Sequence, residues 1–173
     1  MRDSMMTTGL VHIYCGNGKG KTTTGMGLCT RAAGYGYRVL IYQFMKNNKT
    51  SERKILEAVD NITWIDGLDQ EKFSFQMTEE EKAEEKSNIL NGLNFARKVV
   101  VTQECDFLVL DEILGLLDCG IITVEGIADI LKHKDESMHI VMTGWNFPEE
   151  LRPYVDVITT LNTEEVHPLD ANE

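Results

Sequence analysis

A glycine-rich segment follows the first apolar run of the chain. Residues 10–14 read Leu-Val-His-Ile-Tyr, and residues 16–22 then read Gly-Asn-Gly-Lys-Gly-Lys-Thr ahead of a helix-compatible stretch. A phosphate-binding loop requires this order of strand, glycine turn and helix, because glycines let backbone N–H groups approach an anion and the helix start adds positive partial charge. In such a loop Lys21 reaches a phosphate oxygen and the Thr22 hydroxyl ligates magnesium. The alternative is a glycine-rich turn that holds no ligand.

The spacing of this loop is shorter than the common one. Usually four residues separate the first glycine from the Gly-Lys-Ser/Thr sequence. Here Cys15 stands where that glycine is expected, and counted from Gly16 only three residues precede Gly20. We therefore expect a compressed variant of the phosphate loop.

The rest of the chain alternates strand and helix signals. Apolar runs predict strands at residues 10–14, 38–44, 62–65, 107–110, 139–143 and 155–160. Helices are expected at 21–34, 51–59, 123–133 and, after a Thr78 cap, from 78 to about 103. This order predicts an α/β protein with a P-loop NTPase-like (RecA-like), mostly parallel sheet that carries helices on both faces. We expect one domain over residues 1–173, with weak order at 1–8, 46–50 and 164–173.

Two acids end a buried strand far downstream of the loop. Residues 107–112 read Phe-Leu-Val-Leu-Asp-Glu, and a hard cation such as magnesium prefers oxygen ligands. Asp111 and Glu112 are therefore candidate magnesium residues together with Thr22; the alternative is that Asp111 caps the next helix or turn. Thr143 and Gly144 end a later strand at the same sheet edge, where they either line the site or form a simple turn.

The composition excludes several classes of protein. A formal net charge of −11 argues against a general nucleic-acid binder, although one phosphate site needs only local positive charge. The chain has no apolar run of about 18 residues and no signal-peptide pattern at its start, so we expect a cytoplasmic protein without a membrane span. The four cysteines form no Cys-x-x-Cys pair, which favours reduced packing groups over a metal site or a disulfide. Cys15 is the one to watch, because it borders the loop.

Several segments together resemble the ATP:corrinoid adenosyltransferases of the CobA/BtuR type. The shortened loop is the most specific of them, and the order and spacing hold through nearly the whole chain. The matching segments are residues 14–23, 31–36, 39–46, 109–112 and 142–144, and His167-Pro168.

The resemblance implies an enzyme that transfers the 5′-deoxyadenosyl group of ATP. Co(I) of a reduced corrinoid attacks C5′ of ATP, and triphosphate leaves. It further implies Mg²⁺ (or Mn²⁺), an electron donor such as a flavoprotein reductase, and a homodimer. Lys21, Thr22 and Glu112 are the implied catalytic residues, and Thr22, Asp111 and Glu112 hold the metal. The residues implied to contact ATP are Gly16, Asn17, Gly18, Lys19, Gly20, Lys21, Thr22, Thr23 and Arg31.

An aromatic pair carries the implied corrinoid contact. The family fills the space beneath the corrin with Phe-x-Trp, and this chain has Phe73 and Phe75 at the same spacing. The alternative is two core aromatics on one side of a short strand, since residues two apart share a face.

The chain also departs from the family pattern. Residues 67–72 replace its Gly-Glu-Gly, Trp145 stands for the usual Arg after Thr-Gly, and Val166 stands for the Lys before His-Pro. Two other functions therefore stay open, namely a nucleotide- or corrinoid-binding module without turnover and an ordinary P-loop NTPase or kinase.

Overall fold

The computed structural model describes residues 8–45, 51–67 and 78–166. The strands in chain order are β1 (Val11–Cys15), β2 (Val39–Gln43), β3 (Ile62–Asp66), β4 (Phe107–Asp111), β5 (His139–Thr143) and β6 (Val157–Thr160). The helices are α1 (Lys21–Tyr35), α2 (Arg53–Leu56), α3 (Glu79–Thr102), α4 (Ile113–Asp118) and α5 (Val124–Lys132), and a 3-10 helix covers Glu149–Tyr154.

The six strands form one sheet in the order β3-β2-β4-β5-β1-β6, and every neighbouring pair is parallel. Parallel neighbours need crossover connections, and the helices supply most of them. The loop-bearing β1 and the acid-bearing β4 flank β5. This sheet confirms the expected α/β P-loop-like fold, and it brings the carboxyl ends of β1, β4 and β5 to one edge.

Alternating residues of the central strands divide the core between two faces. Leu108 and Leu110 of β4 belong to the cluster that α3, α4 and α5 cover, whereas Phe107 and Val109 belong to the cluster that α1 and α2 cover. A strand buried on both faces reads as a continuous apolar run, as β4 does. Helices therefore pack on both sides of the sheet, as the sequence predicts.

Helix α3 begins where the sequence predicts it. The Glu81 N–H donates to the Thr78 hydroxyl at 3.2 Å, and the Thr78 N–H donates to the Glu81 carboxylate at 2.8 Å. This reciprocal pair satisfies two of the N–H groups that a helix start leaves without partners. The acids of the first turn also lie at the positive end of the helix dipole.

Three elements differ from the sequence prediction. Helix α2 has four residues instead of the nine expected at 51–59, and α4 and the 3-10 helix were not expected. Helix α4 is short and largely apolar, so its sequence shows no helical periodicity. The 3-10 helix contains Pro153, which reads as a turn in sequence.

The cysteines pack mostly as expected. Cys15, Cys29 and Cys105 are buried and Cys119 is exposed. Burial raises the pKa of the Cys29 thiol and that of the Cys105 thiol to about 12, so both are protonated at neutral pH.

No helix within residues 8–45, 51–67 and 78–166 combines the length and apolarity that a bilayer crossing needs.

Gly92 of α3 offers a test of this packing. A Cβ at Gly92 would lie 2.3 Å from the Tyr42 hydroxyl oxygen, and the Tyr42 ring is buried against Phe44 and Phe95. We expect Gly92→Ala to lower the free energy of unfolding by about 1–3 kcal/mol, because overpacking outweighs the helix propensity of alanine. Urea unfolding curves fitted with a common slope measure the change.

Gly27→Ala in α1 is the matched control. Among the described residues nothing lies within 4 Å of a Cβ at Gly27, so this variant should gain about 1 kcal/mol from helix propensity alone. Equal stability of the two variants would contradict the packing of α3 on Tyr42.

Candidate active site

The glycine-rich loop joins β1 to α1. Gly16 has φ 104° and Gly20 has φ 96°, in the left-handed region that favours glycine. The first helical hydrogen bond runs from the Thr24 N–H to the Gly20 carbonyl. The N–H groups of the first residues of α1 therefore have no hydrogen-bond acceptor within the helix, and they face the loop. N–H groups at a helix start favour a bound anion.

Backbone from after β6 lies against this loop. The Gly18 N–H donates to the Leu161 carbonyl at 2.8 Å, and the Leu161 N–H donates to the Cys15 carbonyl at 2.8 Å. A Cβ at Gly16 would lie 2.3 Å from the Leu161 oxygen, and one at Gly18 would lie 2.6 Å from the Leu161 carbonyl carbon. These two glycines thus admit a neighbouring chain segment. The sequence predicts these glycines from phosphate approach alone and carries no sign of this second requirement.

The Lys21 side chain points into the loop. Its Nζ donates to the Gly16 and Gly18 carbonyls, both at 2.8 Å, and it lies over the Trp145 ring at 5.0 Å from the centroid. The side chain is buried. A lysine held by its own loop in this way is a fixed positive charge where the helix start also favours anions.

Asp111 connects the loop to the middle of the sheet. Its carboxylate is fully buried and accepts hydrogen bonds from the Thr22 hydroxyl at 3.1 Å, the Gln43 amide at 2.8 Å and the Thr143 hydroxyl at 2.7 Å. The Glu112 N–H donates in turn to the Thr143 hydroxyl at 2.8 Å. We call Thr22, Gln43, Asp111 and Thr143 the Asp111 network. It brings the predicted acid and the predicted loop hydroxyl into direct contact across 89 positions of sequence.

The alternative for Asp111, a helix cap, is not realised. Glu112 rather than Asp111 is the N-cap residue of α4, with φ 62° and no side-chain cap hydrogen bond. Thr143 contacts Asp111 directly, so it is more than a strand-end turn. Gly144 is restricted by packing, because a Cβ there would lie 2.5 Å from the Leu114 Cβ.

The donor atoms around Thr22 fit a hard cation. They are its own hydroxyl and the Asp111 carboxylate, which suit magnesium with phosphate oxygens and water completing the shell. Glu112, the third predicted metal residue, follows Asp111 in the chain and contacts Thr143 through its backbone N–H. Within the described part of the chain, no group of three or more His, Cys, Asp or Glu residues could hold a metal by itself.

The remaining predicted residues lie in different places. Asn17 and Lys19 are exposed in the loop, and the Lys19 N–H donates to the Thr163 hydroxyl at 2.9 Å. The Thr23 hydroxyl donates to Glu52 at 3.1 Å. Arg31 is exposed and follows Lys21 by ten residues of α1, about 15 Å along the helix axis. The structure does not bring it to the loop.

Other predictions fall outside the described residues. They concern Phe73 and Phe75, His167-Pro168, and the weak order expected at residues 1–7, 46–50 and 167–173.

Sequence reasoning gave no role to three residues of this site. Gln43 is the one polar side chain at the end of an otherwise apolar buried strand, and that pattern was a usable signal. Trp145 stands out in the sequence only as a departure from the family pattern. Leu161 gave no signal, because its contact with the loop depends on the pairing of β6 with β1.

Comparison with known proteins identifies the family. A family model described as ATP:corrinoid adenosyltransferase BtuR/CobO/CobP matches residues 7–173. The chain belongs to this family. The expected resemblance is thereby confirmed over almost the full sequence.

Individual relatives are similar to this chain at low sequence identity. The Escherichia coli K12 corrinoid adenosyltransferase is 24% identical over 166 residues, which cover 94% of this chain and 81% of the relative. A Sinorhizobium corrinoid adenosyltransferase is 27% identical over 168 residues, 92% of this chain and 77% of the relative. The uncharacterised Nostoc protein all2391 is 29% identical over 161 residues, 87% of this chain, and the chain spans only 43% of that protein's length.

Thr143→Val tests the Asp111 network. Valine keeps the shape of threonine but removes the donor to Asp111 and the acceptor of the Glu112 N–H. Buried groups left without partners are costly, so we expect the free energy of unfolding to fall by about 2–4 kcal/mol. Thermal and urea unfolding followed by circular dichroism measure the loss.

Thr63→Val on β3 is the control, because Thr63 is exposed. Its effect should stay within about 0.5 kcal/mol. If Thr143→Val were as mild as Thr63→Val, the hydroxyl of Thr143 would have no part in holding the buried carboxylate.

Proposed function

We propose that this protein is an ATP-dependent corrinoid adenosyltransferase. Co(I) of a reduced corrinoid attacks C5′ of ATP, so that a Co–C bond forms and the C5′–O bond breaks. The electron pair of the broken bond leaves with triphosphate, and the cobalt changes formally from Co(I) to Co(III). The observation that carries the proposal is the contact between the Thr22 hydroxyl and Asp111 at 3.1 Å, beside a buried loop lysine, in a chain of this family.

The protein's main task in this reaction is to position ATP and to stabilise the leaving group. The attacking cobalt is itself the nucleophile, so no side chain has to remove a proton. Negative charge accumulates on the triphosphate, and preorganised donors aimed at developing charge are usually the largest single contribution that a site makes to the rate. Lys21, the first N–H groups of α1 and the exposed Lys19 would supply that positive potential.

Magnesium fits the same task. Thr22, Asp111 and Glu112 would hold the ion, which neutralises phosphate charge when bound. The Asp111 network keeps the carboxylate in one orientation, so the metal side of the loop is ordered before ATP arrives.

Other parts of the proposal rest on the family alone. They are a reductase that supplies the electron for Co(I), contacts of Asn17, Thr23 and Arg31 with ATP, a corrin contact of Phe73 and Phe75, and a homodimer. A cytoplasmic location likewise stays a prediction.

One assay separates the three candidate functions. The protein is incubated anaerobically with MgATP and chemically reduced cobalamin, and both the visible spectrum and the phosphate products are followed. We expect adenosylcobalamin and triphosphate in equal amounts. ADP and phosphate formed without corrinoid would instead identify an NTPase, and binding without product would identify a module that lacks turnover.

The variant Lys21→Ala tests whether the loop takes part in the reaction. Removal of one buried cation from the leaving-group site should lower the rate of adenosylcobalamin formation about 100-fold or more. Lys86→Ala on the exposed surface of α3 is the matched control and should react like the parent. An unchanged rate in Lys21→Ala would exclude the loop from the reaction.

A further inference from the structure

Trp145 is an exposed aromatic side chain next to the loop. It follows β5, and 57% of its surface is accessible. Tyr35 is the other aromatic among the large exposed apolar side chains of the described residues, and it lies at the end of α1 away from the loop. A single exposed apolar side chain is ordinary, so the position of Trp145 beside the loop, and not its exposure alone, distinguishes it.

The backbone of Trp145 is held from two directions. The Trp145 carbonyl accepts a hydrogen bond from the Gly16 N–H at 2.8 Å, and the Gly144 N–H donates to the Tyr14 carbonyl at 3.2 Å. Gly144 also packs too closely on Leu114 to admit a side chain. The turn that carries the indole therefore has little freedom to move away from the loop.

The ring itself is also oriented. The Lys21 ammonium lies over it at 5.0 Å from the ring centroid, a distance at which a cation and an indole attract each other. An aromatic ring that is already ordered loses little entropy when a flat molecule packs on it. The exposed part of the ring is thus a preformed apolar platform beside the anion site.

We propose that the Trp145 indole packs against the corrin macrocycle of the second substrate. This inference rests on the proposed function. Its basis is the position of Lys21, which marks the polyphosphate end of the site. C5′ joins the polyphosphate to the ribose through an ester oxygen, whereas adenine lies beyond the ribose. The macrocycle must lie across C5′ for cobalt to reach it, and a flat apolar side chain at the polyphosphate end is placed to pack on its broad, partly apolar rim.

The test measures binding of the two substrates separately. Cob(II)alamin is titrated into the ATP-loaded protein and followed by its visible spectrum, and MgATP is titrated into the free protein in a calorimeter. The variants are Trp145→Ala, Trp145→Leu and Trp145→Phe, with Tyr35→Ala as the control for loss of an exposed aromatic away from the loop. Circular dichroism establishes that each variant is folded.

The proposal expects a selective effect on the corrinoid. Trp145→Ala should raise the Kd of cob(II)alamin about tenfold or more, Trp145→Leu nearly as much and Trp145→Phe by about threefold, because stacking on an aromatic ring has roughly this effect. The Kd of MgATP should change by less than about threefold, and Tyr35→Ala should match the parent in both titrations.

Three results overturn the inference. Unchanged cob(II)alamin binding in Trp145→Ala would mean that the indole has no ligand there. Weaker MgATP binding with unchanged corrinoid binding would assign the ring to the nucleotide, and equal weakening of both would mean that the variant only distorts the loop. Failure of the proposed function looks different, because the parent protein itself would then form no adenosylcobalamin, whatever the Trp145 variants bind.

Discussion

The site depends on the hydrogen bonds that the buried Asp111 carboxylate accepts. A carboxylate without contact to water is tolerated only when donors surround it. Here those donors come from the end of β2, the end of β5 and the start of α1, through Gln43, Thr143 and Thr22. The strand order of the sheet places these ends together, so the same strand pairing that defines the fold also assembles the site. A change in the register of β2, β4 or β5 would separate the Asp111 carboxylate from the donors Gln43 and Thr143.

The shortened loop is held in the same manner, by parts of the chain distant in sequence. On one side, the Leu161 backbone forms hydrogen bonds with the backbone of the loop. On another, the Trp145 carbonyl accepts a hydrogen bond from the Gly16 N–H at 2.8 Å. The glycines of the loop therefore serve two needs at once, since they permit the left-handed turns and leave space for the Leu161 backbone. Lys21 closes the interior of the loop through the two carbonyl groups that it contacts. This order before ligand binding is what a site that stabilises a leaving anion needs.

Local signals in the sequence predicted most of the fold. The cap at Thr78 and Glu81 and the apolar run that ends in Asp111 act within a few residues, so they are legible without a structure. Helix α4 was not predicted, because its six mostly apolar residues show no helical periodicity. In the site, the sequence predicts Asp111 beside Thr22 and offers Thr143 as a lining residue, and both are found there. The donor Gln43 and the contact with Leu161 depend on strand pairing. Such pairing joins Cys15 to Thr160, and no local pattern encodes it.

A crystal structure of the protein with ATP and Mn²⁺ would test whether the compressed loop binds the polyphosphate and its metal. Anomalous scattering locates the manganese independently of the nucleotide. We predict a metal peak in direct contact with the Thr22 hydroxyl on the side of Asp111 and Glu112, with the triphosphate along the loop and beside Lys21. A nucleotide bound elsewhere, or a metal that lies away from Thr22 while the loop holds no phosphate, would contradict this prediction.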